Sequence, residues 1–232
     1  MTREIHQLDL GDRTVALLVA SHPNAKRIGL RVDRGDGRVR VTIPRGARVA
    51  DGLRFARART AWLRRQLDAA PPTVPLVHGT QLPILGETHV IRHEPEGRFG
   101  VRREAGIIRV AGAGEHVPRR VSEHLKREAR AAIRPRVRDH AASIGHTPGR
   151  VSVRDTRSRW GSCSARGELS FSWRLILAPE AVLTYLVAHE VAHLRHRDHG
   201  PAFWALVRSL VPDADAQRRW LREQGPRLFA YR

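Results

Sequence analysis

Cysteine, lysine and long apolar runs are what this 232-residue chain has least of. Its one cysteine, Cys163, cannot form an internal disulfide, so no disulfide framework holds the fold. No stretch approaches the ~18 apolar residues that a membrane-spanning helix needs, which excludes a helical membrane anchor. The opening "MTREIHQLDLGDR" lacks the basic, apolar, small-residue order of a signal peptide, so a cytoplasmic protein is the expectation. Lysine is almost missing. Only Lys26 and Lys126 appear among 42 basic residues, and the rest are arginine.

What is present describes an ordinary globular protein. Apolar residues make up 41% and charged residues 28%, in a chain long enough to bury one large core or two small ones. Against 23 acidic residues the balance is a net charge of +19. Such a charge attracts phosphates, and nucleic acid is a possible partner. The arginines run through the whole chain rather than forming a block, however, so a compositional habit of surface arginine is favoured over a dedicated interface.

The first half alternates. "RIGLRVDRGDGRVRVTIP" places Ile28, Leu30 and Val32, then Val39, Val41 and Ile43, around Asp36-Gly37, which predicts a hairpin. A helix is expected over about 49–68, where Val49, Leu53, Ala56, Leu63 and Leu67 follow helical spacing. "PPTVP" breaks the chain, and "THVIRHE", "FGVRRE" and "GIIRVAG" read as further strands. No internal repeat stands out. From Val117 a long helix is expected, bent at Pro135 and ended by Gly145, Pro148 and Gly149. "RVSVRD" and "ELSFSWRLIL" read as strands, and Pro179 opens a helix that is apolar on most faces and therefore buried. Two more helices follow, over 202–210 and 213–223. The class is α+β, with a β-rich region over 1–115 carrying one helix and a second region over 116–232.

Within "AHEVAHLRHRDHGPAFW" lie four of the chain's 13 histidines. His189, Glu190 and His193 form H-E-x-x-H. On a helix, positions i and i+4 share a face about 6 Å apart along the axis, so both imidazoles reach one ion. Glu190 is one residue round, close to a water on that ion without being a ligand. Zinc suits such a donor set, because three protein ligands leave a coordination position open. A third ligand comes from His196 or His199. On a straight helix His196 lies about 10.5 Å from His189, too far for bonds of about 2.0–2.1 Å to meet. Gly200 and Pro201 stop the helix and turn the chain back, which makes His199 the better ligand and leaves His196 near the turn, in a backbone conformation that histidine tolerates.

This H-E-x-x-H-x-x-x-x-x-H followed by "GPAFW" resembles the YgjP-like metallopeptidases, relatives of the SprT-like and WLM zinc peptidases. The likeness runs from "SRWGSCSARGELSFSWRLIL" through the histidine motif, and "RIGLRV", "VRVTIP" and "AWLRRQL" resemble the family's front half. The resemblance implies a zincin-like catalytic core over 116–232, in which the H-E-x-x-H helix packs on a small mixed sheet. It also implies one zinc ion on His189, His193 and His199, Glu190 as the catalytic acid/base, and peptides or proteins as substrates. Metzincins share the spacing, but their glycine is His196 here. Two other readings stand beside a zinc peptidase: a DNA-associated, SprT-like protease acting on DNA-bound or crosslinked proteins, and a non-catalytic module in which zinc holds the fold.

Around this centre Trp160, Gly161 and Ser162 admit two readings, an extended edge that lines the substrate cleft or plain core and turn. Tyr185, Arg159 and a backbone amide are candidates for a second oxyanion donor. Cys163 reads as an inert, partly buried residue rather than a thiolate switch. Phe203 and Trp204 read as packing that holds His199, and Asp198 either orients an imidazole or forms the turn.

Overall fold

The computed structural model describes residues 3–32, 38–68, 72–156 and 159–232. Its backbone divides into two compact units, Met1–Thr73 and Val74–Arg232. Among the described residues no helix is long and apolar enough to cross a membrane.

In the first unit β1 (Arg3–Asp9), β2 (Thr14–His22), β3 (Gly29–Val32) and β4 (Val39–Pro44) form a sheet in the order β1-β2-β4-β3. The expected hairpin is β3 and β4, paired antiparallel with Leu30 opposite Val41 and Val32 opposite Val39. Its Asp36-Gly37 turn lies outside the described residues. Val39, Val41 and Ile43 point inward as the alternation requires. Gly52 on α1 (Val49–Arg57) lets this helix lie close on the sheet, since a Cβ there would stand 3.0 to 3.3 Å from Ile43, Val41 and Val19. The single helix expected over 49–68 is instead two, α1 and α2 (Thr60–Asp68). Arg59 explains the break: its guanidinium lies over the Phe55 ring and donates to the Phe55 carbonyl, while its own N–H turns to Ala56. The carbonyl that would continue the helix is thereby taken by a side chain.

The second unit opens with β5 (Gln81–Ile84), β6 (Glu87–Glu94), β7 (Val101–Glu104) and β8 (Ile107–Ala111), in the order β5-β6-β8-β7. Both four-stranded sheets are built alike: two antiparallel hairpins joined by one parallel pairing, β2 with β4 and β6 with β8. α3 (Val117–Ser143) follows and buries Val121, Leu125, Ala129, Ile133, Val137 and Ala141, a stripe at every fourth residue. It runs through the exposed Pro135 as one helix. Its end is a Schellman turn, in which His146 N–H donates to Ala141 O and Gly145 N–H to Ala142 O, with Gly145 at φ 68°. The boundary expected at 115/116 falls inside this second unit, because Ile108 and Val110 share one core with Val117 and Val121.

β9 (Val151–Arg154), β10 (Gly161–Cys163) and β11 (Leu169–Ser172) form a small mixed sheet in the order β10-β11-β9, with β9 parallel and β10 antiparallel to β11. A short 3-10 helix, Trp173–Leu177, leads to α4 (Glu180–Ala192), which is buried along most of its length. α5 (Pro201–Leu210), α6 (Ala214–Glu223) and the short α7 (Gly225–Leu228) complete a mixed α+β unit.

Candidate active site

α4 carries the H-E-x-x-H residues at its C-terminal end. His189 and Glu190 are helical, whereas the helix stops at Ala192 and His193 is its capping residue. The last turn tightens, with Leu194 N–H donating to Val191 O and Arg195 N–H to Ala192 O. A loop then returns the chain to Gly200, and Pro201 opens α5. This brings His199 back to the other two, with ring centroids 5.0 Å from His189 and 4.7 Å from His193. One nitrogen from each of the three rings lies within 4.8 Å of the others.

The donor set fits a metal ion. His199 Nε2 stands 3.1 Å from His189 Nε2, near the ~3.4 Å that two nitrogens on a tetrahedral ion keep at bond lengths of ~2.1 Å. His193 Nδ1–H donates to the His196 carbonyl at 3.0 Å. A carbonyl only accepts, so this bond fixes the tautomer and leaves the Nε2 lone pair free. His189 Nδ1 is buried without a hydrogen-bond partner among the described residues. Burial, and then its histidine neighbours, push the His189 pKa down to about 3. Burial lowers that of His193 as well. Both rings therefore stay neutral and available as ligands.

Three aromatic contacts converge beneath them. Phe203, fully buried on α5, has its ring 4.5 Å from His193, 4.7 Å from His199 and 5.0 Å from His189. Trp204 lies 5.8 Å from both His189 and His199, with the Arg218 guanidinium over its ring, 4.4 Å from the centroid. The sequence placed Phe203 behind His199 alone. The structure makes it a common floor.

Glu190 is buried, and burial pushes its pKa up to about 7, partly offset by the charge of Arg159. Its carboxylate rests against Gly161, where a Cβ would stand only 2.4 Å from Oε1. Gly161 thus opens the space that Glu190 fills. β10 is an edge strand. Trp160 O and Ser164 N–H bond back to Ser172 and Glu168 of the β11 side, so by alternation Gly161 and Cys163 turn their backbone groups to the free edge.

The remaining expected residues separate. Trp160 packs its ring 4.6 Å from Phe229 and against Gly225, so its side chain belongs to the core. Ser162 pairs with Ser170 in the sheet. Tyr185 is buried one turn before His189, ring centroids 6.0 Å apart, and burial pushes its hydroxyl up to about 12. Cys163 is half-buried, and burial raises its thiol pKa, which keeps it protonated. His196 lies at the turn, as expected, without a positive φ, and its part in the site is its carbonyl. No hydrogen bond among the described residues joins Asp198 to an imidazole. Arg197, which no sequence motif singles out, donates to Ser164 O at 2.6 Å and Ala165 O at 3.1 Å, tying the histidine loop to the turn after β10.

A family model described as "YgjP-like, metallopeptidase domain" matches residues 26–224. The chain belongs to the YgjP-like metallopeptidase family. No curated protein matches it. Among solved structures it is similar to the metallopeptidase zymogen abylysin of Pyrococcus abyssi, at 20% identity and a TM-score of 0.36, over 40% of this chain and 95% of that one. Family membership makes the chain a metallopeptidase, and peptides or proteins its substrates. Among the described residues, the three converging imidazoles of this YgjP-like chain are the group of side chains with the spacing to hold a metal ion.

Proposed function

We propose that this chain is a zinc-dependent peptidase in which His189, His193 and His199 hold one Zn2+ and Glu190 moves the proton. The observation that carries this reading is the buried Glu190 carboxyl, raised to about 7, beside three converging imidazoles, of which burial keeps His189 and His193 neutral. When bound there, zinc supplies Lewis acidity to the scissile carbonyl and to water. Glu190 accepts the proton of the attacking water and delivers it to the leaving amine, work for which a group titrating near neutrality is suited. The free edge of β10 offers the backbone of Gly161 and Cys163 to a substrate strand running beside Glu190. Tyr185 stays protonated, so its hydroxyl or the Arg159 guanidinium can donate to the developing oxyanion. In this reading α4 and the sheet β10-β11-β9 form the zincin-like core, and the protein works in the cytoplasm.

The experiment is metal analysis together with hydrolysis of an unfolded protein substrate, wild type against Glu190→Gln. Both chains should hold about one zinc, while hydrolysis falls by roughly 10²-fold or more in the variant. Undiminished hydrolysis by a Glu190→Gln preparation free of other proteases would remove Glu190 from the role given to it.

A further inference from the structure

One edge of the catalytic unit gathers positive charge that the linear sequence scatters. Arg130 and Arg134 stand on one face of α3, and Arg150 enters β9 beside them. With Val151, Ser152 and Val153 they line an open groove of about 470 Å³. All three arginines are exposed, and none has an acidic partner among the described residues. Four other arginines of this unit are paired: Arg119 with Glu123 at 3.1 Å, Arg138 with Asp139 at 3.0 Å, Arg103 with Glu128 at 3.1 Å, and Arg136 with Glu180. No acidic residue lines the groove. Uncompensated charge is therefore concentrated there.

We infer that this groove binds the phosphodiester backbone of nucleic acid. A guanidinium presents a planar fork that matches phosphate oxygens in two bonds. Arg130 and Arg134, four residues apart, are separated by about 6 Å along the helix axis, close to two phosphate steps of a duplex strand at ~3.4 Å each. Arg127 extends the row by one more turn of the same face, so the site suits an extended polyanion rather than a single phosphate. Ser152 already donates its hydroxyl to Leu169 O at 3.3 Å, leaving the three arginines as the donors. The lining holds no aromatic or amide side chain to stack on or read a base, so binding is indifferent to sequence. The net charge of +19 adds long-range steering. β9 is the edge opposite β10 in their sheet, roughly 10 Å across at the usual strand spacing. A strand held in the groove thus leaves the Gly161 edge open, and the peptidase is placed on nucleic acid without being blocked by it. The inference stands independently of the zinc chemistry.

The test is fluorescence anisotropy of the full chain with labelled DNA and RNA strands and a DNA duplex of about 20 nucleotides, across a salt series up to about 200 mM. The groove variant is Arg130→Gln/Arg134→Gln/Arg150→Gln. The charge-matched control is Arg92→Gln/Arg98→Gln/Arg227→Gln, three exposed arginines of the same unit without acidic partners. The groove variant should bind at least ~10-fold more weakly, and the slope of log affinity on log salt should flatten by about 2 for a single strand or about 3 for the duplex. The control should change less than ~3-fold. If the groove triple fails to fold, judged by melting, Arg134→Glu alone carries the same comparison. Equal losses in both triples would reduce the groove to part of a diffuse field and overturn the inference, as would absence of wild-type binding. A polyglutamate peptide that binds as tightly through the same three arginines would assign the groove to acidic polypeptides instead.

Discussion

Glu190 fills the space that a side chain on Gly161 would need. A Cβ there would meet Glu190 Oε1 at 2.4 Å, Cγ at 2.6 Å and Cδ at 2.7 Å. Gly161 has no positive φ among the described glycines, so its strand backbone accepts alanine, and the conflict is with the carboxylate. Gly161→Ala should therefore displace Glu190 while leaving the three histidines in place. Displacement of a catalytic group by about 1 Å costs on the order of 10²-fold in rate. Elemental analysis should find zinc unchanged, and hydrolysis of an unfolded protein should fall by that factor. A variant with wild-type turnover would deprive the contact of any functional meaning.

Phe203 offers a second lever, because one buried ring touches all three imidazoles. Phe203→Ala should destabilise the chain by about 3–5 kcal/mol through the cavity it leaves. Phe203→Leu keeps most of the volume and loses the ring contacts, so it should fold and hold zinc about 10-fold or more weakly. Competition with a zinc chelator measures this. Zinc affinity equal to wild type in the leucine variant would make Phe203 a filler of the core alone.

The loop separates two histidines that the sequence lists three residues apart. His199 brings Nε2 to His189, whereas His196 contributes only a backbone carbonyl. His199→Ala should lose the ion, and His196→Ala, which keeps that carbonyl, should retain about one zinc per chain. Equal loss in the two variants would show that the His196 side chain belongs to the ligand set.

The legibility of these features differs for physical reasons. H-E-x-x-H and the Gly200-Pro201 stop were readable because helix periodicity and chain reversal are local properties. The partition between units was not, since it depends on Ile108 and Val110 packing with Val117 and Val121 across a change of element type. The hairpin turns of the second unit were hidden too. Leu85-Gly86 and Ala105-Gly106 both take positive φ, a geometry normally signalled by Asn-Gly or Asp-Gly. Leu85 is held there by its N–H bond to Ile176 O, a partner 91 positions away in the chain and supplied only by the fold. Gly161 read as a possible turn because its real neighbour, the Glu190 carboxylate, is remote in sequence. The same remoteness concealed the arginine groove: Arg130 and Arg134 meet Arg150 only when α3 lies along β9.

Opposed titrations at neighbouring positions predict an unusual response to pH in the metal-free chain. Folded, Glu190 titrates near 7 because burial disfavours its charge; unfolded, it returns to its ordinary 4.5. Between these values the folded chain holds the extra proton, so this group's stability contribution, full at low pH, is lost as pH rises. His189 acts in reverse. Burial lowers it to about 3 from an ordinary 6.5, so between those values the unfolded chain holds the extra proton and stability is lost as pH falls. From about pH 4.5 to 6.5 the two slopes oppose, each at most about 1.4 kcal/mol per pH unit. Glu190→Gln removes one of them. In chelator-treated protein its urea stability should then climb with pH over that window relative to wild type, by up to ~1.4 kcal/mol per unit. His189→Gln should shift the slope the other way. Wild-type and Glu190→Gln curves that run parallel from pH 4.5 to 6.5 would mean that Glu190 ionises at its ordinary value in the fold.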